Sequence, residues 1–343
     1  MIVTQTTYAR VGLLGNPSDG FGGKTIAMEI SNFHATATVW ESPRLQIIPH
    51  PVLDPFLFDS LRELRETASV DGYYGGTRLV YATCKHFLDY CLENGTAIPE
   101  QNFTIEYDTT IPRQVGLGGS SAIVVAVLKA LMSFYGLSET DIPKPLQANM
   151  ALAVEQEELS IQAGLQDRVV QVYGGLVYMD FSPDLFAAQG YGNYEPLPVD
   201  LAPPLYLAYV PCSTVTSGQA HNPVRYRFAN GDPVVVEAMK QFARFADEGR
   251  QALLAGDWRA LGELMNGNFD LRRRVYGDAA VGARNLEMIQ IARSLGLPAK
   301  FPGSGGAVIG VCEGQDQVRA VEAAFRERGY AFALVTIAGR ETP

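Results

Sequence analysis

A run reading IPRQVGLGGSSA at residues 111–122 places three glycines in four positions ahead of two serines and a long apolar stretch. Gly116, Gly118 and Gly119 let backbone approach a ligand and adopt φ angles that side chains forbid. Ser120 or Ser121 can cap the helix that follows, whose first N–H groups then point unpaired into the loop. A glycine-rich approach to a helix N-terminus is an anion site on physical grounds. The more ordinary reading is a capped core helix, so the loop by itself does not decide for phosphate. Two familiar phosphate loops are excluded. A Walker loop needs Lys directly before Ser/Thr, where Gly119 stands, and a dinucleotide fingerprint needs a third glycine where Ser121 stands.

Three further stretches could join it. In ARVGLLGNPSDGFGGKT, residues 9–25, Arg10 sits inside an otherwise apolar strand, and a buried guanidinium must be paired. A loop with Asn16 and Asp19 follows. In AVEQEELSIQAGLQD, residues 153–167, Glu155 lies on a helix and Asp167 follows an Ala-Gly turn. Taken alone, Glu155 reads as a helix-surface carboxylate beside Glu157 and Glu158. KFPGSGG, residues 300–306, is a second glycine-rich turn running into an apolar strand, and such turns often hold no ligand. Tyr73, Tyr74 and His221 fit core or turn roles as well as a site and are not taken as candidates.

The elements that must position these residues read as α+β. Tyr8–Leu14 is a buried strand, and Thr25–Ile30 with His34–Glu41 suits a hairpin pair. Leu79–Leu92 is helical, Phe103–Tyr107 alternates as a strand, and Ala122–Phe134 is a buried helix closed by Gly136. Gln147–Leu159 and Asp167–Tyr173 continue as helices. The Pro-, Gly- and aromatic-rich run over 181–205 reads as a domain connection. Beyond it come a strand at Leu205–Val210, helices near 233–254, 258–275 and 281–295, a helix at Gln317–Arg328 and a strand at Ala331–Ile337. This organisation gives two domains, 1–185 and 200–343, with a substrate cleft between them.

Composition narrows the function. With 343 residues and 47% hydrophobic content the chain can fill a large core. A net charge of −10 argues against nucleic acid and anionic membrane as partners, yet leaves room for a small basic pocket. Cys84, Cys91, Cys212 and Cys312 are scattered without a C-x-x-C pair, which argues against structural zinc and for a reducing, cytoplasmic setting. No secretory signal or membrane-length apolar run is read.

The order of these segments resembles the GHMP superfamily of small-molecule kinases, over essentially the whole length. Pro112-x-x-x-Gly116-Leu117-Gly118-Gly119-Ser120-Ser121-Ala122 is similar to that superfamily's ATP-phosphate loop, AGLQD at 163–167 to its sugar-kinase catalytic segment, and PGSGG at 302–306 to its third motif. GLLGNPSD, GYYGG, IPRQ, AGLQDRVVQVYGGLV, NFDLRRR and GSGGAV are most similar to the glucuronokinase branch, which phosphorylates the anomeric hydroxyl of D-glucuronate.

The resemblance implies a two-domain GHMP kinase fold, with an N-terminal domain like ribosomal protein S5 domain 2 and a ferredoxin-like C-terminal α/β sandwich. It implies ATP cradled by residues 112–121 and covered by Gly303, Ser304 and Gly305, and Mg²⁺ held by Ser120 and Glu155. Asp167 is then the base toward the sugar hydroxyl, with Arg10 beside it, and Asn16 and Asp19 meet the sugar. A sugar-acid carboxylate calls for a bidentate donor. Arg113, Arg168 and Arg273, within the run Arg272–Arg274, are the candidates, although a charge run is usually a solvated helix face.

Two departures stand out. Gly119 occupies the place of the motif's first serine, which leaves Ser120 or Ser121 for the metal. Asn16 and Pro17 replace the Glu and His that grip the sugar in galactokinases. The alternatives are another sugar, heptose-phosphate or mevalonate-type kinase, or a non-catalytic sensor. Retention of Asp167, Glu155 and Ser120 argues against the sensor. The expected assembly is a monomer or homodimer.

Overall fold

The computed structural model describes residues 1–71, 75–211 and 223–338. Tyr73, Tyr74, Cys212 and His221 lie outside them.

The first strand, β1 (Ile2–Leu14), lies antiparallel along β2 (Lys24–Glu41). The two strands expected within 24–41 are thus one. The residues Ser31–Phe33 that read as a turn form a bulge opposite the Tyr8–Ala9 step, where β1's partner jumps from His34 to Ile30. The bulge is held from the far end of the chain: Ser31 N–H donates to Thr336 O at 2.8 Å, and Thr336 N–H to Asn32 Oδ1 at 2.8 Å. A sequence pattern cannot show that partner, because it lies 305 residues away.

A short strand, β3 (Gln46–Ile47), two helices, α1 (Leu61–Asp71) and α2 (Thr77–Glu93), and β4 (Phe103–Thr109) follow. Then come α3 (Gly119–Phe134), α4 (Lys144–Ala153), α5 (Gln166–Tyr173) and β5 (Leu176–Asp180). The two ends of β2 pair with β5 and β4, and β3 continues beside β4, so one long strand organises the sheet. Buried apolar residues cover nearly the whole of α3, which packs on β1 and β2 as the central helix. The helix expected over 147–159 ends at Ala153 and gives way to a π turn over Val154–Glu158.

The stretch over 181–205 is not only a connection. It holds α6 (Pro183–Gln189) and β6 (Asn193–Leu197), which pairs with β5 and extends the first sheet beyond residue 185.

A second sheet is formed by β7 (Leu205–Tyr209), β8 (Ala307–Val311) and β9 (Ala331–Leu334), with β7 central and every pairing antiparallel. Between β7 and β8 run α7 (Pro223–Ala229), α8 (Pro233–Ala255), α9 (Trp258–Tyr276), α10 (Asp278–Val281) and α11 (Ala283–Ser294), and α12 (Gly314–Glu327) precedes β9. Asp232 and Asp257 cap α8 and α9 through their carboxylates, as expected of Asp at helix starts. Helix α8 packs on β1 and β2, and α9 on β1 and β8, so the two halves share one apolar core. Among the described residues no helix is long and apolar enough to cross a membrane.

Candidate active site

Strand β1 delivers Arg10 to the point where three loops meet. Its guanidinium Nε and Nη2 donate to the two oxygens of Asp167 at 2.5 and 2.6 Å, and Nη1 donates to Gly116 O at 2.6 Å and Pro302 O at 3.3 Å. Its backbone N–H also donates to Leu117 O, at 3.1 Å. One buried side chain therefore joins the glycine-rich loop, the start of α5 and the 302–306 turn.

Asp167 sits in the first turn of α5. Burial pushes its carboxyl up, but Arg10's charge and hydrogen bonds, with Arg168 and Gln166, hold it below the ordinary 3.8. Asp19 stands alongside, accepting the Gln166 N–H at 3.4 Å. Burial first, then the charge of Asp167, push Asp19 up to about 6. The two neighbouring carboxyl groups are thus driven apart in proton affinity, a pattern suited to division of roles. Gly164 admits Asp19 here, because a Cβ at that position would overlap Asp19 Oδ2.

Helix α3 begins at Gly119, after Gly118 with φ +75°, and no side chain caps it. The cap expected from Ser120 or Ser121 is not made, because both lie inside the first turn. Ser121 is buried and donates back to Gly118 O at 3.1 Å. Ser120 is exposed at the loop mouth and donates to Glu155 Oε1 at 2.6 Å. Far from lying on a helix surface, Glu155 is 0% exposed in the π turn, a local widening common at functional sites. Its other oxygen accepts from Arg168 Nε at 2.8 Å and from Arg168 Nη2.

Gln171, which sequence reasoning missed, donates to Gly118 O at 2.8 Å and Tyr8 O at 3.3 Å and so pins the loop. Its spacing of four from Asp167 on one helix face was the available signal. Pro112 is half-buried and Leu117 buried in the same loop. Gly303 packs so closely on the loop that a Cβ would overlap Gly116 O, and Asn285 Oδ1 accepts the Gly306 N–H at 2.9 Å. The 302–306 turn thus backs the glycine-rich 112–121 loop, with Gly305 buried and Ser304 exposed at its rim.

Several expected substrate contacts are engaged elsewhere. Asn16 is buried, with its Oδ1 accepting from Lys300 Nζ at 2.6 Å and its Nδ2 donating to Phe301 O at 3.4 Å, so it anchors its loop. Arg168 is buried on Glu155 and Gly164 O (2.8 Å), with both arms in use. Arg273 points outward and pairs with Asp278 at 2.5 and 2.8 Å. Arg113 is half-buried on the side of Tyr107, whose phenol feels its charge.

The structure instead turns Arg272 inward, donating to Gly303 O at 2.8 Å and Ser304 O at 3.3 Å. It lies four residues after the buried Asn268, and each helical residue turns about 100°, which takes Arg273 off that face. Lys300, also missed, is 1% exposed, and among the described residues its ammonium donates only to oxygens of Gly12, Asn16 and Phe301, at 2.6–2.8 Å. Burial, then the charges of Arg272 and Arg10, hold its ammonium well below the ordinary lysine value.

Residues 78–175 match the GHMP kinases N terminal domain and residues 250–331 the GHMP kinases C terminal domain; the chain belongs to the GHMP kinase family and, as such a kinase, uses ATP. It is 49% identical over 326 residues to probable glucuronokinase 2 of Arabidopsis thaliana, covering 94% of this chain and 88% of that protein. It is 47% identical over 337 residues to glucuronokinase 1 of the same plant, with coverage of 98% and 92%. The galactokinase of Lactococcus lactis, solved with galactose, shares the fold at a TM-score of 0.74 and 17% identity, over 99% of this chain and 95% of that one.

Proposed function

We propose that this kinase transfers the terminal phosphoryl group of ATP to the anomeric hydroxyl of a sugar acid, with D-glucuronate the first choice, to give the sugar 1-phosphate and ADP. The observation that carries the reading is the Arg10–Asp167 pair, locked directly beneath the glycine-rich loop with Asp19 beside it. Similarity to the two Arabidopsis proteins supports the choice of substrate.

In this reading the first-turn N–H groups of α3 and the loop 116–121 hold the phosphates, in place of a Walker lysine. The hydroxyl oxygen attacks the terminal phosphorus in line, ADP leaves, and the hydroxyl proton passes to Asp167 Oδ. A carboxylate is a weak base toward an alcohol, so this transfer is concerted with bond formation to phosphorus. Arg10 keeps Asp167 ionised and aimed. Asp19 receives a neighbouring sugar hydroxyl and fixes the ring.

The donor set fits Mg²⁺. An exposed Ser120 hydroxyl lies 2.6 Å from one Glu155 oxygen, and Arg168 holds the other. These are hard oxygen donors, few in number, that leave positions for phosphate oxygens and water. Ser120 and Glu155 would hold the ion, which when bound neutralises charge on the phosphates.

The test is an ATP-consumption screen over glucuronate, galacturonate, galactose, fucose and mevalonate, with phosphorus NMR to place the new ester. Turnover of glucuronate to a 1-phosphate supports the reading, and turnover of a non-uronic substrate alone refutes it. Asp167→Asn is expected to abolish turnover while ATP affinity stays within about threefold.

A further inference from the structure

Lys300 is a buried cation that the phosphoryl transfer does not use. Its backbone is paired with Ile309 of β8, N–H to O at 3.0 Å and O to N–H at 2.9 Å. Its ammonium gathers three segments at one point: Gly12 O at 2.8 Å, Asn16 Oδ1 at 2.6 Å and Phe301 O at 2.6 Å. Each acceptor adjoins a working part of the site. Gly12 lies just beyond Arg10 on β1, and its N–H donates to Pro302 O at 2.8 Å, the carbonyl that also accepts from Arg10 Nη1. A Cβ at Gly12 would overlap that oxygen, so the close approach needs glycine. Asn16 opens the loop that leads to Asp19, and Phe301 leads into the 302–306 turn. Asn268 of α9 also grips the loop, donating to Asn16 O at 3.1 Å and accepting the Gly15 N–H at 2.8 Å.

An ammonium has three N–H donors and no acceptor, which matches the three oxygens around Nζ. A neutral amine has two donors and a lone pair, so one of those oxygens would face the lone pair. The full set of bonds therefore requires the charge. That charge is costly here, because the three acceptors are neutral and the charges it feels, Arg272 and Arg10, are cations. An apolar side chain such as Met would fill the space without that cost, so packing alone does not call for lysine. What the ammonium adds is a fixed meeting point for the three segments.

We propose that Lys300 is a positioning residue for the sugar: its ammonium holds the Asp19 loop in register with the Arg10–Asp167 pair, and only the protonated side chain does so. The inference rests on the reading of Asp167 and Asp19 as the groups that meet the acceptor sugar.

Two consequences separate this role from plain support of the fold. The nucleotide side has holds of its own: Arg10 and Gln171 on the 112–121 loop, Arg272 and Asn285 on the 302–306 turn. Loss of Lys300 therefore falls on the sugar more than on ATP. Burial, then the charges of Arg272 and Arg10, also hold the ammonium well below the ordinary lysine value, so the positioned state is lost as pH rises through the folded value.

The test compares the full-length wild type with Lys300→Met and Lys300→Arg, using ATP and glucuronate in steady-state kinetics across pH. Lys300→Met is expected to lower kcat/KM for the sugar on the order of 10²-fold, as for a misplacement of about 1 Å, with KM for ATP within about threefold. The wild type shows an alkaline limb in kcat/KM for the sugar that both variants lack. Met has no proton to lose there, and Arg keeps its charge. Asn16→Asp puts a carboxylate on the ammonium and moves that limb to higher pH. If a Lys300 variant does not fold, the wild-type limb and its displacement in Asn16→Asp decide alone. An equal rise in KM for ATP, a limb that persists in Lys300→Met, or one that stays in place in Asn16→Asp overturns the proposal. A wild type that phosphorylates no sugar acid defeats the underlying reading. One that does, with Lys300→Met sharing its kinetics and pH profile, defeats this inference alone.

Discussion

Replacing Arg10 by Met isolates what the central ion pair does. The substitution removes both hydrogen bonds to Asp167, the donor to Gly116 O and the weaker one to Pro302 O. Removing one partner of a buried pair costs about 3–5 kcal/mol, because the remaining charge stays desolvated. Burial, the largest influence on Asp167, then acts against only Arg168 and Gln166, and its carboxyl moves above 3.8.

The sign of the pH dependence follows. In the wild type a depressed carboxyl contributes stability that is present above 3.8 and is lost as pH falls through the folded value. In Arg10→Met the raised carboxyl reverses this, and stability falls as pH rises from 3.8 through the new folded value. The gap between the thermal midpoints of the two proteins should therefore be smallest in acid below the wild-type folded value, already open at pH 4, and widen further toward pH 7. Turnover at pH 7 should fall on the order of 10²-fold or more, as when a general base loses its state and aim, with an acid limb displaced upward. Arg10→Lys should be intermediate, since one ammonium cannot span both Asp167 oxygens and Gly116 O. A midpoint difference independent of pH, or turnover within threefold of wild type, would refute the reasoning.

Ser120→Ala should raise the Mg²⁺ concentration for half-maximal activity by roughly tenfold, whereas Ser121→Ala, which loses only its bond to Gly118 O, should lower thermal stability with little change in metal dependence; the reverse pattern would assign the ion to Ser121. Gly164→Ala should displace Asp19 and lower kcat/KM for the sugar at least tenfold with KM for ATP little changed, measured by steady-state kinetics. Asp19, pushed up to about 6, should give kcat/KM for the sugar an acid limb near that pH, activity falling as the carboxyl is protonated. The limb should be absent in Asp19→Asn.

Much of the site was legible because its chemistry is local. A glycine-rich approach to an apolar helix, an arginine inside an apolar strand and an aspartate after Ala-Gly are each written in adjacent residues, and the structure brings Arg10, Gly116, Asp167 and Pro302 within hydrogen-bonding distance. Other features depend on rotation about a helix or on partners far along the chain. Gln166 and Gln171 were not among the expected site residues, yet both are buried beside the site. Lys300 drew no expectation from the sequence, yet it is the buried tie between the Gly12–Asn16 segment and Phe301.

The sequence by itself, through the order of its motifs and the family they resemble, carried the kind of chemistry proposed: a backbone phosphate cradle, a hydroxyl and a carboxylate for a hard cation, and an aspartate beside an arginine. Residue type and motif order suffice for that, because they are properties of the chain before it folds. Tertiary structure alone decided which serine faces outward, because the start of α3 at Gly119 turns Ser121 into the core and Ser120 to the mouth. It also decided that Glu155 is buried, and that Arg272 rather than Arg273 meets the 302–306 turn. Both depend on how helices pack across the two halves, where a turn of about 100° per residue separates an inward cation from a solvated one.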